Sequence, residues 1–126
     1  MPRPHHPSLT DGELRLMNVI WNRGEATVRD IQERLDEELS DSTVRTLLAI
    51  LERKGHVRRH RRGRAYVYRP VDDRVATRQS TIAGLARRFF TTPAELVLGF
   101  VKSGELTRAE LERIARAIEE RQEEEG

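Results

Sequence analysis

The sequence predicts a mainly α-helical protein with one small β-hairpin. Apolar residues recur at three- and four-residue spacing over most of the chain. One segment, "RKGHVRRHRRGRAYVYRP" at residues 53 to 70, breaks that period and holds eight Lys or Arg residues with no Asp or Glu. Within it, Gly63 separates two short stretches with the composition of strands. At 126 residues the chain fits one ordinary domain, or a small domain with a helical appendage. Aromatic residues make up only 5% of it, so the core must be mainly aliphatic.

Residues 1 to 8 hold three prolines together with His5 and His6, and read as a flexible tail. Thr10 and Glu13 form a capping-box pattern, and Leu14, Met17, Ile20 and Trp21 mark one side of the first helix, which Gly24 stops. Thr27 caps a second helix carrying Val28, Ile31 and Leu35. A third, within "SDSTVRTLLAILERKG", begins near Ser40 or Ser42 and ends at Gly55. Val44, Leu47, Leu48 and Leu51 form its core stripe, which leaves Thr43, Arg45 and Thr46 on other faces. Strands are expected at about residues 56 to 61 and 65 to 69, joined by a turn at Gly63 and closed by Pro70. Helix, helix, helix, hairpin is the order of a winged helix-turn-helix domain, assigned to residues 9 to 70.

From residue 71 to residue 126 only helices are expected. Asp72 and Asp73 open one with Val75, Ile82, Leu85, Ala86 and Phe89 at helical intervals. "TTPAELVLGFVKSG" gives a short helix with Thr92 as cap, Pro93 at its first position and Gly104 beyond its end. Thr107 and Glu110 repeat the capping box ahead of Leu111, Ile114 and Ile118. Three short helices with one apolar stripe each have too little to bury alone. Pairing with a second copy solves this; the alternative is that these helices pack back on their own N-terminal domain. Val75, Ile82, Leu85, Phe89, Leu96, Phe100, Leu111, Ile114 and Ile118 are the expected dimerisation residues of this helical module.

The net charge of +2 hides an asymmetry. Residues 1 to 70 carry 14 bases against 10 acids, and residues 71 to 126 carry 9 against 11. Crowding like charge onto one hairpin costs stability, so the expected source of the balancing anions is a partner outside the chain, double-stranded DNA. Ser42, Thr43, Arg45 and Thr46 on the third helix would face base edges and phosphates. Arg59, Arg61, Arg62 and Arg64, with Tyr66, would form a wing on the backbone or in the minor groove. The Tyr66 and Val67 alternation is also expected to tie the wing to the core. The competing readings are a non-specific architectural DNA-binding protein and a winged-helix module that docks acidic protein partners. A charge run as a mere solvated sheet edge is the plainest alternative.

No nucleophile elbow, zinc-protease motif, phosphate-binding glycine loop or cysteine appears, so neither an enzyme nor a cofactor or metal site is expected. His5 and His6 sit in a tail without fixed geometry, and His56 and His60 share one face of the first predicted strand. No apolar run suits a membrane span or a secretory leader, so a cytoplasmic protein is expected.

The stretches "LTDGELRLMNVIW", "TVRDIQERL", "STVRTLLAILERKG", "GRAYVYRP" and "LVLGFVKSGELTRAELERI" together resemble the BlaI/MecI/CopY family of bacterial transcriptional repressors, from about Leu9 to Ile118. The resemblance implies a dimeric repressor on a palindromic operator. Members control β-lactamase genes, copper-transport genes and other operons linked to membrane sensors. In the antibiotic-responsive branch a membrane metalloprotease-like receptor signals, and the repressor is cut in its C-terminal module. The matching bond here is Gly99–Phe100, with Gly99 standing where that branch has Asn. The copper-responsive branch uses a C-terminal cysteine motif, which this chain lacks.

Overall fold

The computed structural model describes residues 8 to 125, so the tail expected at residues 1 to 8, with His5 and His6, lies outside the described residues except for Ser8. Its helices are α1 (Asp11–Arg23), α2 (Val28–Arg34), α3 (Asp41–Lys54), α4 (Arg74–Phe89), α5 (Pro93–Ser103) and α6 (Arg108–Glu125). Between α3 and α4 lie strands β1 (Val57–Arg62) and β2 (Ala65–Pro70). The chain divides into two compact units, with the boundary between Gly84 and Leu85.

In the first unit, each helix begins where a side-chain oxygen meets an orphan amide. Thr10 accepts from the Glu13 amide at 3.2 Å while Glu13 accepts from the Thr10 amide at 3.1 Å. Thr27 and Asp30 repeat this reciprocal arrangement at the start of α2. Ser40 caps α3 by accepting from the Thr43 amide. Gly24 and Gly55 end α1 and α3 at φ of 87° and 86°, a region that favours glycine.

The hairpin is antiparallel, from Val57 opposite Pro70 to Arg62 opposite Ala65. It has a third neighbour. Ala26 and Tyr68 exchange backbone hydrogen bonds of 3.0 and 2.8 Å, so the link between α1 and α2 runs along the outer edge of β2. One apolar cluster joins these parts, including Leu16, Met17, Ile20, Ile31, Val44, Leu48, Leu51, Val57 and Tyr68.

The core-facing side of α1 is rotated from the expected one. Leu14 is 40% exposed and Trp21 is half-buried, whereas Leu16 is fully buried and Val19 nearly so. The reason is Glu13, which lies in the buried stripe and breaks its apolar signature; the stripe runs Glu13, Leu16, Met17, Ile20. Glu13 is only 2% exposed, and Lys54 from the end of α3 donates to both its carboxylate oxygens at 2.5 and 2.8 Å. The anchoring of the hairpin also differs. Val67 and Tyr68 are buried side by side, while Tyr66 stays 38% exposed. The bridge to Ala26 holds Tyr68 against the core. His56 precedes β1 and is buried, so it shares no strand face with His60.

In the second unit, α5 and α6 bury no side chain among the described residues. Thr92 caps α5, Pro93 opens it and Gly104 ends it at φ 77°. Thr107 and Glu110 close a capping box ahead of α6. Phe89, Leu98, Phe100 and Ile118 are each about half exposed or more.

Candidate nucleic-acid interface

The N-terminal half of α3 splits sharply by face. Val44 and Leu48 are fully buried, while Ser42, Thr43, Arg45 and Thr46 are all exposed. A helix with one face locked into the core presents the other with little freedom to move. Its first turn is further tied by side chains. Ser40 Oγ donates to Thr43 Oγ1 at 2.8 Å and lies 3.2 Å from Ser42 Oγ. Arg45 Nε donates to Asp41 Oδ2 at 2.7 Å, one helical turn back. That hydrogen bond and the Asp41 charge raise the Arg45 pKa further.

On the hairpin, Arg59 stacks over the Tyr66 ring with its guanidinium carbon 4.3 Å from the ring centre. The two are diagonal cross-strand neighbours, since Arg59 pairs with Tyr68 and Tyr66 with Arg61, and their contact combines charge and packing. Arg61 Nε donates to the Gly63 carbonyl at 3.1 Å, which stiffens the turn. Gly63 has a φ of 64°, the left-handed value that such a turn requires. Arg64 beside it is exposed and has no ion-pair partner among the described residues. Of the four arginines expected around Gly63, Arg61, Arg62 and Arg64 lie at the hairpin tip, while Arg59 lies further back on β1 opposite Tyr68 and the α3 residues form a separate group.

The balancing anions do not all lie outside the chain. Glu25, in the α1–α2 link, holds Arg62 at 2.6 Å and Arg69 at 3.1 Å. The Arg62 hydrogen bond, with help from Arg69, holds the Glu25 carboxyl below the usual carboxylate range against partial desolvation. Glu52 on α3 lies 3.3 Å from Arg59. With Lys54 on Glu13, four of the eight bases between residues 53 and 70 are paired internally. These carboxylates were missed from the sequence. The Asp41–Arg45 pair was legible as an i, i+4 spacing, but nothing local connects Glu25 to residues 37 and 44 positions away.

The residues expected to dimerise are mostly uncovered. Val75, Ile82, Leu85, Phe89, Phe100, Ile114 and Ile118 are exposed, and Leu96 and Leu111 are half-buried. Gly99 and Phe100 lie inside α5 rather than in a loop, and nothing approaches within 4 Å of a Cβ placed on Gly99.

No helix of the described residues is long and apolar enough to cross a membrane. Comparison with known proteins gives a consistent result. A family model described as penicillinase repressor matches residues 9–120. The penicillinase repressor of Bacillus licheniformis is 28% identical over 117 residues, 90% of this chain and 91% of that one. The methicillin resistance regulatory protein MecI of Staphylococcus aureus is 27% identical over 112 residues, 84% of this chain and 89% of its own. Among solved structures, the DNA-binding domain of the repressor BlaI is 31% identical, with a TM-score of 0.51, and covers 57% of this chain and 90% of that one.

Proposed function

The chain belongs to the penicillinase repressor family and is a DNA-binding transcriptional repressor, and from that premise we propose that it reads a palindromic operator as a homodimer. Residues 9 to 70 form the DNA-binding domain in this reading, and residues 71 to 126 the dimerisation module. The observation that carries it is the outward display of Thr43, Arg45 and Thr46 on a helix whose opposite face is fully buried. Such a helix fits the major groove, with Ser42 placed for a phosphate near the helix N-terminus. Arg59, Arg61, Arg62 and Arg64, with Tyr66, supply the wing. Arg61 and Arg64 do so without giving up an internal ion pair, and Arg62 must share its charge with Glu25.

The α5 and α6 helices, with no buried side chain of their own, supply apolar area for a second copy. Two linked reading heads bind far more tightly than one, because the second contact becomes intramolecular. This also gives a route to release. A cut at Gly99–Phe100 by a membrane sensor-protease system would part α6 from the rest of the module. A glycine inside α5 lowers local helix stability by about 1 kcal/mol relative to alanine, which favours the opening a protease needs. The protein acts in the cytoplasm in this reading, since its ligand is the operator, and it performs no catalysis.

Selection of bound duplexes from a random pool tests the proposal, followed by gel shifts across a salt series. An inverted repeat with half-sites a whole number of helical turns apart supports it. Equal binding to every duplex supports an architectural protein instead, and no binding at physiological salt supports a module for acidic protein partners.

A further inference from the structure

We propose that Asp41 is a positioning residue for base reading, which aims Arg45 so that the operator must offer a guanine at one position of each half-site. The inference rests on α3 being the recognition helix. Asp41 Oδ2 accepts from Arg45 Nε at 2.7 Å. Both side chains are 59% exposed, so the pair stands in solvent on the outer face of α3. A guanidinium is a planar fork of five N–H donors and can grip the O6 and N7 acceptors of guanine through either of two edges. The edge that contains Nε is occupied here. The terminal Nη1–Nη2 edge remains, pointing away from Asp41.

An arginine without such a tether would sample many rotamers and settle on any phosphate in reach. Fixing it before the encounter removes that ordering cost for one geometry only. Asp41 also brings a negative charge to the reading face, which disfavours the phosphate contacts that stabilise misplaced complexes. It sits in the first turn of α3, where the helix field supports a carboxylate. The adjoining side chains are fixed in the same manner. Thr43 Oγ1 accepts from Ser40 Oγ, so the Thr43 hydroxyl keeps its own proton for an acceptor outside the chain. The turn therefore offers donors at set places, which suits the two acceptors on the major-groove edge of guanine and not the amino groups of adenine or cytosine.

The test is duplex selection followed by affinity measurement with the full-length protein and its D41A, D41E, R45A and D41A/R45A variants. R45A should lose preference for one base at one half-site position, and D41A should lose the same preference, by about fivefold or more. On the R45A background, D41A should change that preference by less than about twofold, because the two act as one unit. D41E, which keeps a carboxylate one turn from Arg45, should recover part of it. A purely structural role for Asp41 would lower the melting temperature of D41A and leave its base preference intact, which overturns the proposal. So would additive effects, or a D41A change at a different position, which would mean that Asp41 reads a base itself. If R45A alone leaves every base preference unchanged, the assignment of α3 as reader fails, and the role of Asp41 falls with it.

Discussion

Lys54 at the end of α3 closes on Glu13 at the start of α1, with its ammonium 2.5 and 2.8 Å from the two carboxylate oxygens. Glu13 is 2% exposed and also closes the α1 capping box, while Lys54 adds a hydrogen bond to the Ser8 carbonyl. Removing the cation strands a buried carboxylate. Lys54→Ala should lower stability by about 2–3 kcal/mol, less than the full cost of breaking a wholly buried pair because Lys54 keeps some contact with solvent. Urea denaturation of both proteins measures this. Glu13→Gln, which removes the charge but keeps the shape, should cost less than Lys54→Ala.

The same contact sets an acid limit. Burial pushes the Glu13 carboxyl up, but the Lys54 hydrogen bond, the Thr10 amide and the Lys54 charge outweigh it and hold the group below its ordinary value of 4.5. A carboxylate with a lowered folded-state pKa contributes stability that is fully present above its unfolded value and is lost as pH falls through the folded one. Wild-type stability should therefore drop below about pH 4.5 more steeply than that of Glu13→Gln. Melting temperatures of the two proteins that fall in parallel from about pH 7 to about pH 3 would refute this.

How far the sequence carried this result depends on the range of the interaction concerned. Caps, helix ends and the Gly63 turn are settled by residues within four positions of one another, and they stand where Thr10, Thr27, Gly24, Gly55 and Gly63 predicted, with Ser40 rather than Ser42 capping α3. The core side of α1 was misread because Glu13 occupies an apolar position, and its partner lies 41 residues away. The hairpin charge was misread for the same reason: Glu25 and Glu52 meet their arginines only after folding. Composition shows an excess of cations but not which of them are already paired.

That distinction has a measurable consequence at the wing. Arg64 has no ion-pair partner among the described residues, whereas Arg62 rests on Glu25 at 2.6 Å. A phosphate contact by a free arginine releases about one counterion and reduces the salt slope by about 1 when lost. Arg64→Ala should reduce the slope by nearly that amount, uniformly over operator and scrambled DNA. Arg62→Ala should reduce it less, and Glu25→Gln should raise affinity for scrambled DNA by freeing both Arg62 and Arg69. Equal slopes for the two arginine variants would show that Glu25 does not hold Arg62 in solution.

The apolar surface of the second unit gives the last test. Phe100 is 48% exposed on α5 and Ile118 is 54% exposed on α6, in helices that bury no side chain among the described residues. If a second copy covers them, a carboxylate at either position would be buried without a partner, at a cost of several kcal/mol per site. Two copies carry two such sites, so Ile118→Asp should convert the dimer to monomer at micromolar concentration, as read by sedimentation velocity. The variant should still bind a single half-site duplex as the wild type does, because α3 and the hairpin are built from the first unit alone. Affinity for the full palindrome should fall at least a hundredfold, since the second half-site no longer profits from the first. A variant that remains dimeric, or that loses half-site binding as well, would mean that Ile118 supports the fold of its own chain and that the surface between copies lies elsewhere.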